Sequence, residues 1–253
     1  MTPFLSAMQF LTRLPVPDSG WEPGRLDRAA RWFPAVGIVV GALAAIVWWL
    51  AALLWTNGIA VMMAMASATL VTGALHEDGL ADTADGLGGG GTVERRLAIM
   101  RDSRIGSYGA VALFLAILLH YGALVSLSGF GAATMAAILI GAHALSRLAM
   151  VAVILALPYA RDREDTRVPL APDRSADALV ALGATGALAI APLCIVHGLG
   201  IAFAGCAGVA LATLSIIALL RGKLGGWTGD TAGAAQQLTA LAFLLGASAA
   251  RWT

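Results

Sequence analysis

Charge, aromatic rings and cysteine are all scarce in this chain. Asp, Glu, Lys and Arg make up 12% of its 253 residues, about half the share in a soluble domain. Phe, Trp and Tyr account for 7%, and the two cysteines, Cys194 and Cys206, both sit inside apolar runs. Such thiols read as small buried hydrophobes rather than as a disulfide or a metal pair. A formal net charge of +1 provides no bulk attraction for nucleic acid, and no nucleic-acid partner is expected. Residues 1–33 also lack a long apolar segment ending in a small-residue cleavage site, so no secretory leader is read there.

What the chain has is apolar length: 59% of it is hydrophobic and its mean hydropathy is +0.82. Runs of spanning length fall at 34–55, 59–76, 107–128, 132–157, 177–197, 201–220 and 232–250. They are too long and too little alternating for barrel strands. The expected fold is therefore all-α, a polytopic integral membrane bundle of about seven transmembrane helices forming one embedded domain over 1–253. The connectors 56–58, 129–131 and 197–200 contain no Asp, Glu, Lys or Arg, whereas 1–33, 77–106, 158–176 and 221–231 hold nearly all of them. By the positive-inside rule the charged side is cytoplasmic, with the N-terminus there and the C-terminus opposite. Within 1–33, Phe4, Met8 and Leu11 share one helical face, which predicts a short interfacial helix stopped by LPVP. Arg13, Arg25, Arg28 and Arg31 then precede Trp32 and Phe33, an aromatic pair suited to the headgroup boundary.

The scarce acids are concentrated. His76 to Gly91 reads HEDGLADTADGLGGGG, with Glu77, Asp78, Asp82 and Asp85 directly after an apolar run. If the helix beginning near Ile59 continues through it, the three aspartates fall at i, i+4 and i+7 on one face. Carboxylates clustered without a cation repel one another, and hard oxygen donors suit Mg²⁺ or Mn²⁺. The small Gly79, Ala81 and Gly86 would let a phosphate ester approach the backbone. A solvated acidic cap is the alternative. Gly86 to Gly91 reads as a flexible run, and Thr92 opens a short amphipathic helix carrying Val93, Leu97 and Met100 on one side.

Other polar groups gather on the same side. RDSRIGSYG at 101–109 sets Arg101, Ser103, Arg104 and Ser107 at a helix start, a phosphate-binding arrangement or simply an orientation signal. AHALSR at 142–147 puts His143, Ser146 and Arg147 on one face, and an arginine so deep in an apolar run needs a partner or a cavity. The expectation is a cavity shared with the acidic motif, with His143 equally readable as a core histidine. From the loop after Pro158, Tyr159 and Arg161 are candidate substrate contacts; Asp162, Arg163, Glu164, Asp165 and Arg167 read as headgroup-level charges. RGKLGGWTGDT brings Lys223, Thr228, Asp230 and Thr231, either a tight turn or a polar element that closes over a nucleotide or adds a metal ligand. Gln236 and Gln237 should face the protein interior.

Taken together, FLTRLPVP at 10–17, WFPAVGIVVG at 32–41, GALHEDGLADTADGL at 73–87, MRDSRIGSYG at 100–109, AHALSR at 142–147, PYAR at 158–161 and GGWTGDTAGA at 225–234 resemble the cobalamin synthase family, the adenosylcobinamide-GDP ribazoletransferases. The resemblance keeps its motifs in order from near the N-terminus to the last apolar run. It implies a multi-pass enzyme of the prokaryotic plasma (inner) membrane that joins adenosylcobinamide-GDP to α-ribazole, or to α-ribazole 5′-phosphate, and releases GMP with Mg²⁺. On that reading Asp78, Asp82 and Asp85, with Glu77 beside them, hold the metal. Arg101 and Arg104 stabilise phosphate charge, Arg147 meets phosphate from within the membrane, and His76 or a free carboxylate takes the attacking hydroxyl's proton. Ser103, Ser107, His143, Tyr159, Arg161, Thr228 and Asp230 are the remaining substrate contacts. Membrane lipid is the surrounding partner. A homo-oligomer and contacts with other cobamide-assembly enzymes stay open.

Two other classes compete. A CDP-alcohol phosphotransferase also clusters aspartates at a helix end, but Asp78-Gly79 is not followed by Ala-Arg and the second aspartate pair is absent. A transporter would be expected to show internal repeats with broken helices near mid-membrane, and none is found.

Overall fold

The computed structural model describes residues 2–17, 24–161 and 170–250. Asp162, Arg163, Glu164, Asp165 and Arg167 lie outside the described residues. The described chain is helical throughout, apart from an isolated bridge between Tyr159 and Trp227. Helices α1 (Pro3–Leu11) and α2 (Arg25–Ala29) lead into α3 (Phe33–Ala52); α1 buries Ala7, Met8 and Leu11, the inner side of the amphipathic segment. Then follow α4 (Asn57–Thr72), α5 (Leu75–Gly89), α6 (Val93–Ile99), α7 (Ser107–Leu127), α8 (Ala132–Ala156), α9 (Ala176–His197), α10 (Leu199–Lys223) and α11 (Gly229–Ala249).

Among the described residues five helical stretches are long and apolar enough to cross a membrane: Arg25–Ala52, Ser107–Phe130, Ala132–Ala156, Ala176–His197 and Leu199–Lys223. The pair α4 and α5 makes a sixth if counted as one broken span. The expected seven is thus corrected to five or six. The run 232–250 does form a helix, α11, but it is an interior element with Thr231, Gln236 and Thr239 buried. Phe114 on α7, Ile195 on α9 and Phe203 on α10 stay exposed, as lipid-facing side chains should.

The expectation of one helix running from Ile59 through the acidic motif is overturned. α4 stops at Gly73, a left-handed C-cap with φ 66°, and Ala74 follows at φ 57°, an uncommon conformation for a residue with a Cβ. The chain turns by 87° into α5. The Arg13 N–H donates to Val71 O at 2.7 Å, tying the segment after α1 to this corner. The glycine run is also more ordered than expected, because α5 remains helical to Gly89 and side chains fill the space beside it: Met100 against Gly86, Tyr108 against Gly88.

Small residues set the closest helix crossings. Gly37 and Gly41 on α3 press on the α8 backbone around His143–Ala144 and Leu139–Ile140. The Gly233 Cβ position on α11 lies 3.4 Å from Gly79 Cα on α5. This second crossing builds the site.

Candidate functional site

Because Gly79 and Gly233 let the backbones of α5 and α11 approach, Asp78 and Asp82 on α5 come within electrostatic range of Asp230 at the start of α11. Asp230 is held in place locally. Thr228 and Thr231 form a reciprocal capping box, with the Thr231 N–H donating to Thr228 Oγ1 at 3.2 Å and the Thr228 N–H to Thr231 Oγ1 at 2.8 Å. Ahead of it, the Ala160 N–H donates to Trp227 O at 2.8 Å and the Trp227 N–H to Pro158 O at 2.9 Å, which zips PYAR onto GGWTGDT. The Tyr159 and Trp227 rings meet edge to face at 4.9 Å. That pairing delivers Arg161 Nη2 to Asp230 Oδ2 at 2.7 Å. Burial pushes the Asp230 carboxyl above its usual range against the opposing pull of Arg161, and burial raises the Tyr159 hydroxyl as well.

Asp85 behaves differently. Its Oδ2 accepts the Gly106 N–H at 2.7 Å and its Oδ1 the Gly109 N–H at 2.9 Å, so both oxygens cap the start of α7. A side chain at Gly106 or Gly109 would strike this carboxylate. The bond ties RDSRIGSYG to the end of the acidic motif. Ser107 is the first residue of α7, and Ser103 and Arg101 are exposed in the loop before it, with Arg101 in electrostatic range of Tyr159. Arg104 forms a two-pronged pair with Asp102, Nη2 to Oδ2 at 2.6 Å and Nε to Oδ1 at 2.9 Å, on an open face. The side-chain hydrogen bonds from Arg104 hold the Asp102 carboxyl at about 2, and the same pairing raises the guanidinium.

Glu77 and Arg147 point elsewhere. Thr69 Oγ1 donates to Glu77 Oε1 at 2.9 Å across the α4–α5 corner, and Glu77 lines a cavity of ≈ 280 Å³ among α4, α5, α7, α8 and α11 with His120, His143, Gln236 and Gln237. One helical step separates Glu77 from Asp78, which turns it about 100° away. Arg147 is fully buried, donates from Nη1 to His143 O at 2.8 Å, and lies within range of the Glu77 charge. It lines neither this cavity nor the one beside Asp78. Gln236 Nε2 donates to Ser146 Oγ at 2.9 Å and half-buried Gln237 lines the ≈ 280 Å³ cavity, so both glutamines face the interior.

A second cavity, ≈ 190 Å³, opens beside the acids between α1, α3, α5, α8 and α11. Asp78, Asp230, Tyr159 and His76 line it together with Phe10, Phe33 and Trp227. His76 is 2% exposed and its Nε2 has no partner. The apolar walls come from segments far apart in sequence and were not foreseen; only the placement of Trp227 within GGWTGDT hinted at them.

Among the described residues no three His, Cys, Asp or Glu side chains converge into a preformed metal cage. Asp78, Asp82 and Asp230 nevertheless form a hard-oxygen set, with Arg161 paired to Asp230 and offsetting part of the negative charge. That fits Mg²⁺, which takes one or two carboxylates, keeps waters and shares substrate phosphate oxygens. Asp85, with both oxygens bonded to backbone N–H groups, fits less well.

The family model described as cobalamin-5-phosphate synthase matches residues 3–248. An adenosylcobinamide-GDP ribazoletransferase of Leptothrix cholodnii is 45% identical, covering 98% of this chain and 96% of its own. Proteins of the same name from Shewanella pealeana and Shewanella frigidimarina are 43% and 42% identical, over 92% and 93% of this chain and 90% of each relative. No solved structure matches. Matched over nearly its whole length, the chain belongs to the cobalamin-5-phosphate synthase family.

Proposed function

We propose that this protein transfers the adenosylcobinamide-phosphate moiety of adenosylcobinamide-GDP to α-ribazole or α-ribazole 5′-phosphate, releasing GMP. The single observation that carries the mechanism is the meeting of Asp78 and Asp82 with Asp230 and its partner Arg161 at one end of the bundle. A ribose hydroxyl attacks the phosphorus nearer the corrinoid. One P–O bond forms, the bond to the bridging oxygen breaks, and GMP carries that oxygen away. Such transfer relies on positioning and charge neutralisation rather than covalent catalysis.

Asp78, Asp82 and Asp230 would hold Mg²⁺, which when bound neutralises diphosphate oxygens. Arg161, paired with Asp230 through Nη2, would offer its remaining guanidinium N–H groups to a phosphate oxygen. Arg101 supports the leaving nucleotide from the loop that Asp85 anchors. A carboxylate of α5 accepts the hydroxyl proton. The site faces the cytoplasm of a prokaryotic cell, with the N-terminus on that side and the helices in the plasma membrane, in keeping with the charge asymmetry of the loops.

The test is GMP release by purified protein in liposomes given adenosylcobinamide-GDP, α-ribazole and Mg²⁺, with the corrinoid product followed by chromatography. GMP and complete cobamide should appear together, and both should vanish with EDTA. No GMP from folded protein with either ribazole substrate sinks the reading.

A further inference from the structure

We infer that the ≈ 190 Å³ cavity beside Asp78 and Asp230 is the pocket for the flat, apolar base of the acceptor nucleoside, with His76 Nε2 donating to its ring nitrogen. The inference rests on the transfer reaction proposed above. Three observations carry it.

Size comes first. Pockets that enclose a whole drug-sized ligand run from about 300 to 1,000 Å³. At ≈ 190 Å³ this cavity falls below that range, a size suited to one bicyclic ring rather than to a corrin.

Chemistry comes second. The walls are Phe10, Phe33, Met150, Ile154, Tyr159 and Trp227, with Phe10 stacked on Phe33 at 5.8 Å and Tyr159 edge-on to Trp227. A guanine ring spreads carbonyl, amide and amino groups around its edge, so those turned away from Asp78 and Asp230 would meet apolar walls without partners, which is costly. A benzimidazole brings hydrocarbon edges and one ring nitrogen. His76, whose buried Nε2 has no partner, and the Tyr159 hydroxyl are wall groups with a proton to offer that nitrogen.

Position comes third. Asp78 and Asp230 line the same cavity, so a base seated there has its ribose beside the carboxylates that would hold the metal and take the hydroxyl proton.

The test is steady-state kinetics of the full chain in liposomes, varying each substrate with the other saturating. Ile154→Phe, which fills the pocket, should raise KM for α-ribazole about tenfold or more while KM for adenosylcobinamide-GDP is unchanged. The unmethylated benzimidazole riboside, smaller by two methyl groups, should recover most of that loss; a general folding defect would not distinguish the two acceptors. A rise confined to the donor KM overturns the assignment and gives the cavity to the corrinoid nucleotide. Should Ile154→Phe fail to insert, Ile154→Ala is read instead: it should admit a naphthimidazole riboside that wild type rejects, and unchanged selectivity overturns the pocket. If wild type releases no GMP, the reaction itself has failed. Equilibrium dialysis of α-ribazole then judges the pocket alone: binding that Ile154→Phe abolishes supports it, and no binding by wild type overturns it.

Discussion

At the scale of the residue, neighbouring acids of one short motif divide into three jobs. Asp78 and Asp82 face Asp230, Asp85 binds two backbone N–H groups, and Glu77 looks into the cavity beneath α5. Asp82→Asn should lower turnover about a hundredfold or more while membrane insertion stays near wild type. Loss of insertion together with activity would make Asp82 a structural acid. Asp85→Ala is expected to act on stability instead, by about 2 kcal/mol for two charge-assisted bonds, with the Mg²⁺ dependence of the remaining activity unchanged. A thermal unfolding series in detergent beside a Mg²⁺ titration separates the two cases. The raised Asp230 carboxyl sets a pH dependence. Metal binds the deprotonated carboxylate and burial favours the protonated one, so protons compete for the site. The Mg²⁺ concentration giving half-maximal activity should therefore rise as pH falls, and a constant value would remove Asp230 from the metal set.

At the scale of the element, α5 is placed by its corner and its crossing. The left-handed pair Gly73–Ala74 turns it away from α4, and its contact with α11 at Gly79 and Gly233 decides which acids meet. A Cβ at Gly79 would sit 2.6 Å from the Asp230 carbonyl oxygen. Gly79→Ala should thus part α5 from α11 and abolish GMP formation while most of the helical circular dichroism survives. Wild-type activity in that variant would show that the crossing does not hold the site. Glu77 braces the corner through Thr69 and offsets the charge of buried Arg147. Glu77→Gln should lower the unfolding temperature, an effect on the order of 2 kcal/mol, and Glu77→Gln with Arg147→Met should regain part of it because the unbalanced charge is gone. A double variant less stable than Glu77→Gln would overturn the coupling.

At the scale of the whole molecule, apolar runs and loop charge declare a helical membrane protein because a bilayer imposes a length on each crossing and water a composition on each loop. The seven runs do appear as helices, and the motif spacing carries the family resemblance. Local chemistry was legible too: the helix opened by Thr92 and the amphipathic α1 each depend on residues a turn apart. Pairings between distant segments were not. The bridge that brings Arg161 to Asp230, the Gly79–Gly233 approach, the diversion of Asp85 to Gly106 and Gly109, and the aromatic pocket with His76 in its wall join residues tens to hundreds of positions apart. Which spans cross, and which are bent or interior like α5 and α11, also depended on neighbours. The sequence by itself determined the class of protein, the membrane setting and the set of reactive side chains, since these follow from composition and from periodicity within a few turns. Only the tertiary structure decided which of those side chains meet, because a one-residue step around a helix turns a side chain by about 100° and the packing of other helices selects which direction is the site.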